Sequence, residues 1–136
     1  MLTMEQGTER TPERLVHQYF EGVRRGRVVD ALDVFATGAV FRDEDGTVHR
    51  GIREIAAKFA KARRPRRVHI LGLTQHADTV TAIVEFPRTT TEASGRFREE
   101  FRIVGGRVES LTATPVEGRL PGRVGPPRRK APIASA

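Results

Sequence analysis

An α+β fold, with helices gathered in the first half and a curved antiparallel sheet completing it, follows from three features of the chain. Apolar residues recur at helical spacing up to about residue 60. From Val68 to Thr114 they alternate every second residue, as a half-buried strand requires. Gly105-Gly106 lies between two alternating runs, where both residues can take the positive φ of a tight hairpin. Helices that precede such a sheet pack on one face of it, and about three helices against a curved sheet make a cone with a lined cavity.

The elements follow in order. Residues 1–10 are polar and are expected to be flexible. Thr11-Pro12-Glu13 reads as a helix start: Thr caps, Pro is pre-set for the first helical position, and Glu suits the positive end of the dipole. Leu15, Val16, Tyr19, Phe20 and Val23 form its stripe, and Gly26 stops it. A second helix is expected from Val28 to Phe35, ended by Thr37-Gly38. Ala39 to Arg42 reads as a strand, Asp43-Glu44-Asp45-Gly46 as a turn, and Thr47-Val48-His49 as the return. Gly51 opens a third helix with Ile52, Ile55, Ala56, Phe59 and Ala60 inward. Strands are expected at Val68–Thr74, Thr79–Arg88, Gly95–Val104 and Arg107–Thr114, with a polar connection over Thr89–Ser94.

A chain of 136 residues suits one domain, placed here at 11–114. It has no cysteine, so disulfides and thiolate metal sites are excluded. No run reaches the roughly 18 apolar residues of a membrane span, and the first residues lack the apolar stretch of a signal peptide. A soluble cytoplasmic protein with no membrane partner is the expectation.

The net charge of +7 is concentrated at one end. Arg119, Arg123, Arg128, Arg129 and Lys130 carry five of those charges with no acid among them. Residues 115–136, rich in Pro, Gly and Arg, read as a disordered basic tail. That tail has no interleaved aromatics, so nucleic acid is not an expected partner. The domain itself is close to neutral.

Three polar residues fall on apolar faces: Tyr19, Asp43 and Glu99. Tyr19, the only tyrosine, shares a stripe with Leu15 and Val23; it is either a core residue with a satisfied hydroxyl or a site residue. In Phe97-Arg98-Glu99-Glu100-Phe101-Arg102-Ile103 the odd positions are apolar except Glu99, so it shares the inner face or reaches water at an edge. Asp43 read locally is turn chemistry, as are Glu44 and Asp45. Buried together, a phenol and two carboxyls are a candidate acid–base site, because apolar surroundings move their proton affinities. The surrounding wall is expected from Leu15, Phe20, Phe35, Phe41, Phe59, Val84, Phe86, Phe97 and Phe101. His49, His69 and His76 show no metal-like clustering, and no metal site is expected.

The stretch Tyr19-Phe20-Glu21, Gly26, Phe35-Ala36, Ala39 to Asp43, Gly46 and Gly51 to Ile55 resembles the nuclear transport factor 2-like, or SnoaL-like, superfamily. The resemblance runs from about Thr11 to Thr114 and implies the cone fold. Within it the chain is most similar to ketosteroid isomerases. That resemblance implies Tyr19 as an oxyanion-binding tyrosine, Asp43 as general base and Glu99 as a second, protonated oxyanion donor. Two departures stand out: Glu44 follows the base where the family usually has proline, and Glu99 replaces an aspartate.

The implied activity is proton transfer beside a carbonyl of a small apolar ligand, with no metal or organic cofactor. Superfamily members often pair through the outer face of the sheet, so a homodimer is implied too. Three alternatives stay open at this stage: a non-catalytic ligand-binding or dimerisation module, a polyketide cyclase and an epoxide-hydrolase-like enzyme.

Overall fold

The computed structural model describes residues 10–61, 65–87 and 95–116. Most of the expected N-terminal segment, the connection over Thr89–Ser94 and the tail from residue 117 lie outside these residues. Three helices and six strands are described: α1 (Pro12–Arg25), α2 (Val28–Leu32), β1 (Phe35–Arg42), β2 (Val48–Arg50), α3 (Gly51–Lys61), β3 (His69–His76), β4 (Thr79–Phe86), β5 (Gly95–Val104) and β6 (Arg107–Pro115).

α1 starts and stops as its sequence dictates. The Thr11 hydroxyl accepts from the Arg14 amide at 3.2 Å, and Pro12 occupies the first turn. Gly26 closes the helix in the left-handed region at φ 68°, its N–H returning to the Gly22 and Val23 carbonyls. Leu15, Val16, Tyr19 and Phe20 form its buried face. Arg10, expected within a flexible segment, is tied down: its guanidinium reaches Asp33 at 2.9 Å and Gln18 at 2.6 Å.

The second helix is shorter than expected. It ends at Leu32, and Phe35 already belongs to β1. The reason is sheet pairing: the Val34 carbonyl accepts from the Val108 amide at 2.8 Å, and Phe35 lies in register with Val108. Val34 is fully buried, so the chain gains more by joining the sheet than by another helical turn.

The sheet runs β2-β1-β6-β5-β4-β3. It was expected to be antiparallel, and all of its pairs are except one: β1 and β6 are parallel. A parallel pair needs a crossover, and the intervening helix and strands supply it. Register shifts in β1, β3 and β6 bend the sheet. Phe20, Leu15, Ile55, Phe101 and Leu111 fill the space between helices and the concave face, all fully buried.

Candidate functional site

Glu99 stands on the concave face because strand alternation places it there. Along β5 its side chain follows Phe97 and precedes the buried Phe101 and Ile103, while Arg98, Glu100 and Arg102 face out. Its partners in register are Ala82 on β4 and Ala113 on β6. The small Ala113 beside this long side chain leaves open space, and both residues line a cavity. Glu99 is 6% exposed, and its Oε1 is buried without a hydrogen-bond partner. Burial raises its proton affinity first, and the carboxyls of Glu44 and Asp43 add to it. Lys58 and Arg66 pull the other way, and the carboxyl titrates at about 8. At neutral pH Glu99 is therefore a neutral acid with a proton to donate.

Tyr19 faces the same space from α1. Its ring meets Phe20, Phe35, Phe59 and Phe101 edge-on, with centroids 5.0 to 6.0 Å away. Burial, then the neighbouring Glu99, Asp43 and Glu44, hold its hydroxyl well above the usual phenol range. It too stays protonated and can only donate or accept a hydrogen bond.

Asp43 is placed by the β1–β2 hairpin. Its amide donates to the Thr47 carbonyl at 2.8 Å, its carbonyl accepts from Gly46 at 2.9 Å, and Gly46 takes φ 89°. The turn reading is therefore right for the backbone, while the side chain turns inward and is 17% exposed. His49 Nε2 approaches Asp43 Oδ2 at 3.2 Å from β2, and Lys58 Nζ approaches the same oxygen at 3.4 Å from α3. Glu44 is exposed at the mouth, and desolvation followed by the adjacent Asp43 raises its carboxyl.

Tyr19, Asp43 and Glu99 line one cavity of about 110 Å³. Of the nine residues expected in its wall, Phe20, Phe41, Phe59 and Phe86 are there. The other five are not. Leu15, Phe35, Val84 and Phe101 are buried in the core behind the wall, and Phe97 packs against that core beside Phe86, ring centroids 5.9 Å apart. Helical and strand periodicity separate inside from outside, but they do not tell a core residue from a cavity residue.

Sequence reasoning missed the charged part of the site. Glu44, Lys58 and Arg66 line the cavity, and His49 stands behind Asp43. Lys58 sits between the inward Ile55 and Phe59 on α3, a position whose long stem can lie along the apolar stripe. That placement was the available signal. Among the described residues, no group of His, Asp and Glu is set to hold a metal ion.

The sequence profile of the SnoaL-like domain matches residues 16–111. The chain belongs to the SnoaL-like domain family. Solved structures repeat the fold of this SnoaL-like protein at low identity. An NTF2-like protein of unknown function from Cytophaga hutchinsonii is 12% identical with a TM-score of 0.70, covering 80% of this chain and 93% of that one. A protein with a ketosteroid isomerase-like fold from Catenulispora acidiphila, solved in complex with trimethylamine, is 16% identical with a TM-score of 0.66 over 76% and 85% of the two chains. A protein described as a candidate SnoaL-like polyketide cyclase, from Shewanella putrefaciens, is 12% identical with a TM-score of 0.66 over 81% and 82%. No curated protein matches the sequence. Among the described residues, no helix is long and apolar enough to cross a membrane.

Proposed function

We propose that this SnoaL-like protein binds a small apolar carbonyl compound in its cavity and moves a proton beside that carbonyl, as a cofactor-free, ketosteroid-isomerase-like enzyme of the cytoplasm. The observation that carries the reading is Glu99: a carboxyl with an unpartnered, buried Oε1 on the floor of an aromatic-lined cavity. A buried polar atom without a partner is costly, and a ligand oxygen held by the neutral acid would remove that cost. Tyr19 supplies a second donor. Asp43 takes a proton from the carbon next to the carbonyl, and charge develops on the oxygen, where both donors stabilise it. The proton then returns from Asp43 to another carbon, so the reaction is a net isomerisation.

One observation favours a second reading, a ligand-binding module without catalysis. Asp43 Oδ2 already faces both His49 and Lys58, which compete with a substrate proton for that carboxylate. A homodimer through the outer face of the sheet belongs to either reading. Val40 on β1 and Ile83 on β4 are half-buried there, with the exposed Arg98, Glu100 and Arg102 of β5 between those strands. Sedimentation equilibrium tests that part.

The experiment that separates the readings starts with binding. A panel of phenols of graded acidity, read by absorbance, is expected to bind the wild type and to weaken with Tyr19→Phe. Binding blind to Tyr19 would overturn the oxyanion site. With binding in place, Asp43→Asn is expected to abolish deuterium exchange beside the carbonyl of cyclohexanone in heavy water. Exchange that never exceeded the solvent background in wild type would leave the binding module.

A further inference from the structure

Two long cationic side chains form part of the cavity wall, and each rests on an aromatic face. Lys58 Nζ lies 5.0 Å from the ring centre of Phe41 and 5.2 Å from that of Phe59. The Arg66 guanidinium lies 4.0 Å above the ring of Phe86. Such contacts are favourable and hold a flexible side chain in one place. The Arg66 backbone is anchored as well, its amide donating to the Val23 carbonyl at 3.2 Å. The two residues come from different parts of the fold, α3 and the segment before β3.

The cavity that both help to line is about 110 Å³. A dry engineered cavity of about 150 Å³ takes benzene, so the enclosed space here suits one six-membered ring or less. Deleting either stem would open space on the side where Asp43 and Glu44 stand or on the side of Phe86. We propose that Lys58 and Arg66 are specificity-determining residues that limit the enclosed part of the ligand to about one ring, a compact carbonyl compound rather than a fused polycycle. This deepens the reading above and rests on it.

The test compares phenol with 2-naphthol, whose acidities are close, on wild type, Lys58→Ala, Arg66→Ala and Lys58→Met. A second ring adds apolar area, so a site without a size limit binds the naphthol more tightly. With the limit, wild type binds 2-naphthol about tenfold more weakly than phenol, the order of effect that overpacking imposes. Either alanine variant is expected to reverse that order, and Lys58→Met, which keeps the stem without the charge, to preserve it. Wild type that prefers the naphthol while still depending on Tyr19 would overturn the size limit and leave the oxyanion site intact. Wild type that excludes the naphthol while both alanine variants exclude it equally would overturn the role of Lys58 and Arg66. Binding of neither compound would overturn the oxyanion site, and the limit with it.

Discussion

His49 Nε2 stands 3.2 Å from Asp43 Oδ2, across a hairpin whose turn closes on the Asp43 backbone. Lys58 reaches the same oxygen from α3 at 3.4 Å, so one carboxylate ties β1, β2 and α3 together. All three side chains are less than a quarter exposed. Removing the anion leaves a lysine and a histidine facing each other in poor solvent. Asp43→Asn is therefore expected to cost about 1–3 kcal/mol of stability, below the cost of breaking a fully buried pair. Urea denaturation measures it, and an unchanged midpoint would show that the cluster holds nothing together.

Glu99 makes stability depend on pH in a definite direction. Its folded-state value, about 8, lies above the ordinary 4.5. Between those limits the folded chain keeps a proton that the unfolded chain has released. Stability therefore falls as pH rises through this window, by at most about 1.4 kcal/mol per unit, and levels off above it. Glu44, raised by burial and by Asp43, acts with the same sign. Asp33, lowered by Gln18 and Arg10, contributes stability that is fully present above its ordinary range and is lost only as acid takes the pH below it, outside this window. Thermal denaturation from pH 5 to 9 is expected to show the decline in wild type and most of it gone in Glu99→Gln. A decline of equal size in both proteins would assign it elsewhere.

The element list was legible because each signal in it is local. Thr11-Pro12 at a helix start, Gly26 at its end and Gly105-Gly106 in a hairpin act over a few residues, and the structure has all of them. The α2–β1 boundary was not legible, since Val34 is drawn into the sheet by Val108, 74 residues later in the chain. The parallel β1–β6 pair escaped for the same reason. In the site, Glu99 stood out as the odd residue on an apolar strand face. Lys58 did not, because a lysine beside a helical stripe reads as surface until Phe41, Phe59 and Asp43 are seen around its end. The five aromatic and aliphatic residues wrongly assigned to the wall show the same limit: which buried side chain borders a void depends on small neighbours on other strands, such as Ala113 beside Glu99.

Gly22 is required by the close crossing of α1 and α2. A Cβ there would lie 2.7 Å from the Ala31 amide nitrogen and 3.1 Å from its Cα. Those atoms are backbone and cannot turn aside. Helix propensity would favour alanine by up to about 1 kcal/mol, and the forced separation of two helices costs about 1–3 kcal/mol. Gly22→Ala is expected to be destabilising overall by denaturant titration. Because Gly22 and Ala31 both border the cavity, it should also change phenol affinity.

The protonation of Glu99 also makes ligand binding titrate. A nitrophenol acidic enough to be fully ionised above pH 7 presents an anionic oxygen throughout. Tyr19 stays neutral over this range, since burial holds its hydroxyl well above the ordinary phenol value. Glu99 does not: it can donate to the anion only below about pH 8. Above that, an ionised carboxylate faces the ligand oxygen across a small apolar cavity and repels it. Affinity is therefore expected to be level near pH 7 and to fall toward tenfold per unit above about pH 8, the slope for loss of one required proton. Glu99→Gln keeps an N–H donor of similar length that does not titrate, and its affinity is expected to stay level from pH 7 to 10. Tyr19→Phe is expected to lower affinity at every pH while keeping the bend. A wild-type profile without the bend would mean that Glu99 does not donate to the bound oxygen, whatever else the cavity holds.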